Sequence, residues 1–176
     1  MIISFYEISP PPELIPWLCY CYSLTERLKS LRGHSELRIL NQAWIKSDWW
    51  MHYVLRLSAK TVFQREIMMF SRREPCWYAR TLIPETTYSA HQALFQRLES
   101  ESLGQIIFSS PNIRRFDRIY YPVDVSCIEY YWVKACYPKI KDQTLWCRLT
   151  SFYCQDAPFF LVEVFMPGLV SNTPSS

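Results

Sequence analysis

Three ionisable side chains share strand faces with apolar residues alone, and each is a group that can hold or act on a small ion. Glu163 lies in "FFLVEVFMP" (159–167), Arg65 in "VFQREIMMF" (62–70) and Arg80 in "CWYARTLIP" (76–84). Read as strands, these runs send alternate residues to alternate faces. Glu163 then shares a face with Phe159, Leu161 and Phe165, Arg65 with Phe63, Ile67 and Met69, and Arg80 with Tyr78 and Leu82. A buried carboxylate without a partner is costly or gives up its charge. Arginine keeps its charge, so a buried guanidinium has to meet an anion.

Two chemistries satisfy that demand. One is structural: an internal Arg–Glu ion pair, or an edge strand that lets Arg65 reach water while Glu66 faces the other way. The other is a pocket in which two guanidinium forks grip a dianionic ligand, since arginine pairs carboxylates bidentately. Three such charges on three strands leave both readings open.

Other constellations are weaker. His34, His52 and His91 show no metal-ligand spacing with one another or with cysteine, and Cys19-x-Cys21 alone is not a zinc motif, so no metal site is expected. A His–Cys catalytic pair has no distinguishing spacing among seven cysteines and three histidines. The run "RRFDRIYYP" (114–122) interleaves bases and aromatics as a nucleic-acid surface does, but a solvated turn with packed tyrosines accounts for it better. The formal charge of +3 suits an anionic ligand and is too small for nucleic acid.

The elements that must position these residues are partly legible. After Pro10-Pro11-Pro12, the residues Trp17, Tyr20, Cys21, Leu24, Leu28 and Leu31 keep helical spacing up to Gly33. Ser23 and Glu26 in "SLTE" offer a capping box where a second helix restarts. "ELRILNQAW" reads as a strand. The runs holding Arg65 and Arg80 form a hairpin across "SRREP", a loop of about five residues. "SAHQALFQRLES" (89–100) predicts a short amphipathic helix behind a Ser89 cap. "LGQIIFSSP" predicts a turn and a short strand. Residues 112–143 carry no readable pattern. "LWCRLTSFY" and "FFLVEVFMP" are two further strands joined by "CQDAP", and residues 168–176 read as a mobile polar tail.

Strands joined by hairpins, with helices bunched near the front and middle, indicate an α+β single domain on an antiparallel sheet. Only Gly33, Gly104 and Gly168 are glycines, so neither a phosphate-cradling loop nor a dinucleotide fingerprint can be built. No signal peptide and no membrane span is visible. The odd, unpatterned cysteines point to free thiols in a reducing cytoplasm.

Six motifs in order then carry a family resemblance: "WLCYCYSLTERL", "REIMM", "CWYARTLIPETT", "SLGQIIFSSPNIRR", "LWCRLTSFY" and "FLVEVFMP". From about Trp17 to Pro167 the chain resembles chorismate lyase (chorismate–pyruvate lyase), which opens ubiquinone synthesis in many proteobacteria. The resemblance implies a monomeric α+β domain over residues 1–167, an antiparallel sheet with helical flaps enclosing an internal ligand pocket, and no metal or cofactor. It implies chorismate as substrate and 4-hydroxybenzoate as product, with Arg65 on the ring carboxylate and Glu163 at the hydroxyl end. It further implies Leu24 and Leu103 at the closing flaps and Arg80 on the enolpyruvyl carboxylate. Cys147-Arg148-Leu149-Thr150 departs from the family's small residue, Arg, Arg, Ser after the tryptophan.

Glu163 is then either a general acid or a group that only orients the C4 hydroxyl. A function of a different class also fits the architecture: a non-catalytic binder of small aromatic acids, like the effector domains of GntR-type regulators. Such regulators place a winged helix before the sheet, and roughly 15 residues precede the first helix expected here.

Overall fold

The computed structural model describes residues 8–171. Six strands form one antiparallel sheet: β1 (Glu36–Lys46), β2 (Thr61–Ser71), β3 (Glu74–Pro84), β4 (Ile113–Val123), β5 (Leu145–Cys154) and β6 (Ala157–Phe165), in the order β1-β2-β3-β6-β5-β4. Seven α-helices cover it: α1 (Ile15–Leu18), α2 (Leu24–Arg32), α3 (Trp49–Val54), α4 (Glu85–Ala90), α5 (Gln92–Phe95), α6 (Leu103–Ser109) and α7 (Ile128–Cys136). This is the single-domain α+β architecture expected from the hairpins.

Side-chain alternation divides the core. One face of the sheet offers Val62, Met68, Tyr78, Leu82, Val162 and Val164 to Trp50 and Met51 of α3 and to Tyr130 and Val133 of α7. The other face carries two separate apolar clusters. In the first, Ile67, Met69, Trp77 and Phe165 pack against Trp17, Leu18, Leu24 and Leu28. In the second, Ile83, Phe152 and Phe159 pack against Phe95, Leu98, Leu103 and Ile106.

Local chemistry accounts for most boundaries. Ser23 caps α2 by accepting from the Glu26 N–H at 3.3 Å, and Gly33 ends the helix at φ 71°, where a side chain would be strained. The β2–β3 connection is tighter than expected: only Arg72 and Arg73 turn, both at positive φ, and "SRREP" otherwise extends the ladder. The segment 89–100 is not one helix behind Ser89. Ser89 lies within α4, and α5 and a 3-10 turn over Gln96–Glu99 follow.

"LGQIIFS", expected as a turn and strand, is helix α6. Ser102 and Gln105 form a full capping box that nucleates it, overriding the strand-like run of isoleucines. "RRFDRIYYP" lies within β4 rather than in a solvated turn.

The residues at 168–169, expected to begin a mobile tail, are packed. Residues Pro167–Leu169 form a 3-10 turn with Gly168 and Leu169 buried, and Arg32 donates to the carbonyls of both (2.9 Å to Gly168). Residues 172–176 lie outside the described residues. Among the described residues all seven cysteines are free, and no helix is long and apolar enough to cross a membrane.

A Cβ at Gly168 would stand 2.4 Å from the Pro75 carbonyl oxygen. Gly168→Ala is expected to cost about 1–3 kcal/mol, the usual penalty for forcing atoms into a packed core, read as a lower urea midpoint with an unchanged slope.

Candidate active site

The gap between the two clusters on the α1/α2 side of the sheet is a cavity of about 260 Å³. That is near the small end of ligand pockets, which run from about 300 to 1,000 Å³. Arg65, Glu163, Leu24 and Leu103 all line it. Its roof comes from the start of α2 (Ser23, Leu24, Thr25) and the start of α6 (Ser102, Leu103, Gly104). The two roofs meet closely, since a Cβ on Gly104 would lie 3.3 Å from Ser23 Oγ.

Strand pairing orders the floor into rows. One row runs Arg65, Thr81, Leu161, Thr150, Arg118 across β2, β3, β6, β5 and β4. The next runs Ile67, Ala79, Glu163, Arg148, Tyr120. Arg148 and Glu163 are thus direct cross-strand neighbours. Arg148 Nε donates to Glu163 Oε2 at 2.7 Å and an Nη lies 2.6 Å from the same oxygen. Arg148 also donates to the carbonyls of Trp17 (3.1 Å) and Tyr20 (3.2 Å). Both side chains are buried.

Arg65 has no such partner. It is 4% exposed, its Nε meets no acceptor, and no ion pair reaches it among the described residues. Burial alone pulls its guanidinium below the ordinary arginine value, with no anion opposing the shift. Arg118 Nε and Thr150 Oγ1, on the same row, are also buried without partners. Four arginines (65, 115, 118 and 148) line the cavity against one carboxylate, Glu163.

Arg80 does not belong to this site. It sits opposite Glu66 and Val162 and so projects from the other face. There it donates to Glu66 at 2.8 Å and to Tyr78 Oη at 3.0 Å, and its guanidinium lies 3.9 Å from the Trp132 ring centroid. The expected grip of Arg80 on a second carboxylate is therefore corrected: its charge is matched inside the core.

Arg115, Arg118, Arg148, Thr81 and Thr150 are site residues that the sequence reading missed. Arg148 and Thr150 could have been found, because "LWCRLTSFY" repeats Trp146, Arg148, Thr150 and Phe152 at period two. Arg115 and Arg118 could not. They are three residues apart and share a face only because β4 bulges between Arg115 and Asp117. Among the described residues no group of three His, Cys, Asp or Glu side chains could hold a metal ion.

A profile of the chorismate lyase family matches residues 6–173, nearly the whole chain. The chain belongs to the chorismate lyase family. It is 27% identical over 163 residues to the "Probable chorismate pyruvate-lyase" of Psychromonas ingrahamii, covering 89% of this chain and 83% of that one. It is 26% identical over 169 residues to the "Chorismate pyruvate-lyase" of Salmonella schwarzengrund, covering 94% and 91%. Among solved structures, the effector domain of PhnF from Mycobacterium smegmatis superposes at TM-score 0.57 with 16% identity, over 83% of this chain and 89% of that one. The ligand-binding domain of a GntR-family regulator from Bordetella bronchiseptica gives 0.53 and 14%, over 76% and 86%. These likenesses show that the chorismate lyase fold is shared with regulator domains.

Burial raises the Glu66 carboxyl, but hydrogen bonds from Tyr78 and Arg80 and the Arg80 charge outweigh it, leaving Glu66 below its ordinary 4.5. That stabilisation is complete above the unfolded value and is lost as pH falls through the folded one. Arg80→Ala is expected to destabilise the fold by about 3–5 kcal/mol at neutral pH, since it strands a buried charge. It should also narrow the difference in urea midpoint between pH 7 and pH 3, while leaving ligand affinity within about twofold, as befits a side chain outside the cavity.

Proposed function

We propose that this protein is a cofactor-independent lyase converting chorismate to 4-hydroxybenzoate and pyruvate. The observation carrying the reading is Arg65: a buried cation with no anionic partner among the described residues, lining a cavity sized for one small molecule. Membership of the chorismate lyase family supports the same substrate. Arg65 holds the ring carboxylate, Glu163 stands at the hydroxyl end, and Leu24 and Leu103 close the roof.

The reaction needs little from the protein beyond grip and charge. The C3–O ether bond breaks, the hydrogen on C4 passes to the methylene carbon of the departing enolpyruvyl group, and the ring becomes aromatic. No electrons come from or go to an outside reagent. What remains is to hold the reactive conformer and to stabilise negative charge as the ether opens. Glu163 Oε2 accepts a hydrogen bond from Arg148 Nε and lies 2.6 Å from a second nitrogen of the same guanidinium. A carboxylate ion-paired with a buried guanidinium is poorly placed to deliver a proton, which favours orientation of the C4 hydroxyl over general acid catalysis.

The regulator-like architecture supports a second reading, binding of small aromatic acids without turnover. Incubation of the pure protein with chorismate decides between them: 4-hydroxybenzoate and pyruvate in equal amounts are expected, and binding without product sinks the lyase reading. The wider reading places the protein in the cytoplasm, as a monomer, at the first step of ubiquinone synthesis.

Arg65→Ala is expected to weaken 4-hydroxybenzoate binding by about 2–5 kcal/mol, the range for losing a desolvated charge pair; unchanged affinity by calorimetry returns Arg65 to a structural role. Glu163→Gln keeps volume and hydrogen bonding. Its single-turnover rate should stay within about tenfold of wild type, whereas loss of a general acid removes about 10²–10⁴.

A further inference from the structure

The cavity has a second cationic end that the ring carboxylate does not occupy. Arg65 and Arg118 terminate one row of the floor, four strand spacings or roughly 19 Å apart at the backbone. Beside Arg118 stand Arg115 and Arg148, and the Glu163 carboxylate is already engaged by Arg148. Arg118 donates one Nη1 hydrogen bond to the Tyr20 carbonyl at 2.7 Å, and Arg115 donates one to the Cys21 carbonyl at 3.3 Å. Arg118 Nη1 also lies 4.0 Å from Cys21 Sγ, and Arg115 is exposed to solvent; among the described residues no carboxylate forms an ion pair with either arginine. Arg118 Nε and Thr150 Oγ1, side by side on the row, have no partner, and Thr150 is 1% exposed. The bulge between Arg115 and Asp117 brings both arginines to this face.

We propose that Arg118, with Arg115 and Thr150, forms a second anion subsite that takes the carboxylate of the substrate's enolpyruvyl ether. The proposal rests on the lyase reading and deepens it: Arg65 reads the group that substrate and product share, and Arg118 reads the group that only the substrate carries. The site therefore selects an aromatic or dienyl acid bearing a second carboxylate on an ether arm. Burial and the neighbouring Arg148 and Arg115 lower the Arg118 guanidinium, against smaller upward pulls from Glu163 and Cys21, the balance expected of a cation short of an anion.

Two unreactive probes isolate that carboxylate. Vanillate and 3-(carboxymethoxy)-4-hydroxybenzoate share the ring acid, the hydroxyl and the ether oxygen, and differ only in the acid on the arm. Calorimetry on the full chain should show wild type preferring the dicarboxylate by about tenfold or more, as charge-assisted hydrogen bonds allow. Arg118→Met should abolish that preference while vanillate affinity stays within about threefold, the spread of a lost peripheral contact. Arg65→Met should weaken both probes together. If Arg118 merely pins Tyr20, Arg118→Met weakens both probes equally and the proposal falls; it falls equally if wild type shows no preference. Should the Met variant fail to fold, Arg118→Lys decides. It keeps the charge without the fork, and is expected to cut the preference by about threefold or more; an undiminished preference overturns the subsite. Chorismate turnover is measured in parallel. An Arg118-dependent preference without turnover leaves the subsite standing and removes the lyase reading, and turnover with an Arg118-independent preference does the reverse.

Discussion

A guanidinium buried in an apolar sheet must have its N–H groups matched, and the way Arg148 meets that demand organises the ligand side of the molecule. Two of its nitrogens engage Glu163 on the neighbouring strand, and a third reaches the carbonyls of Trp17 and Tyr20. One side chain thus ties β5 to β6 and ties the sheet to α1 and the residues that follow it. Glu163 is fixed by the same contact. The roof over the cavity can only sit where those carbonyls meet Arg148, so the position of Leu24 above the floor follows from an ion pair in the floor.

The two faces of the sheet resolve buried charge in opposite ways, and the contrast marks the site. On the α3/α7 face, Glu66 meets Arg80 and Tyr78, while Glu129 accepts from Trp50 and Tyr121 at 2.9 Å each. There each of these carboxylates has donors and the packing is continuous. On the other face, the apolar packing splits into two clusters with a polar row between them, and arginines exceed carboxylates. Buried charge alone is compatible with ordinary structure. Unmatched charge beside a cavity is what calls for a ligand, and its sign calls for an anion.

The same architecture serves regulator domains at 10–16% identity, and so does not choose a function. The choice lies in a few side chains on one face. Arg65 and Glu163 stand in adjacent rows, two strands apart, and the remaining cations gather towards β4.

The sequence by itself determined the antiparallel α+β class, all four hairpin strands and the placement of Arg65 and Glu163 on them, because period-two alternation and turn residues are local signals. It also determined the break before α2, where Ser23 caps a new helix. It misread "LGQIIFS", whose capping box outweighed β-branched residues, and left β4 and α7 unread. Which charges share a cavity was decided only by tertiary structure. Alternation gives each strand its own two faces but not how the faces of different strands align. That alignment depends on the two-residue turn at Arg72-Arg73 together with a bulge at Cys76, where the β2–β3 ladder shifts by one residue; without the shift Arg65 would face Arg80, and with it Arg65 stands opposite Thr81 and Arg80 opposite Glu66. A one-residue slip reverses every side chain, so Arg80, equal to Arg65 in the sequence, became a core ion pair. The β4 bulge worked the other way, bringing Arg115 and Arg118 to one face against their spacing. Register and bulges arise from how one strand pairs with another, and no single run of residues contains that information.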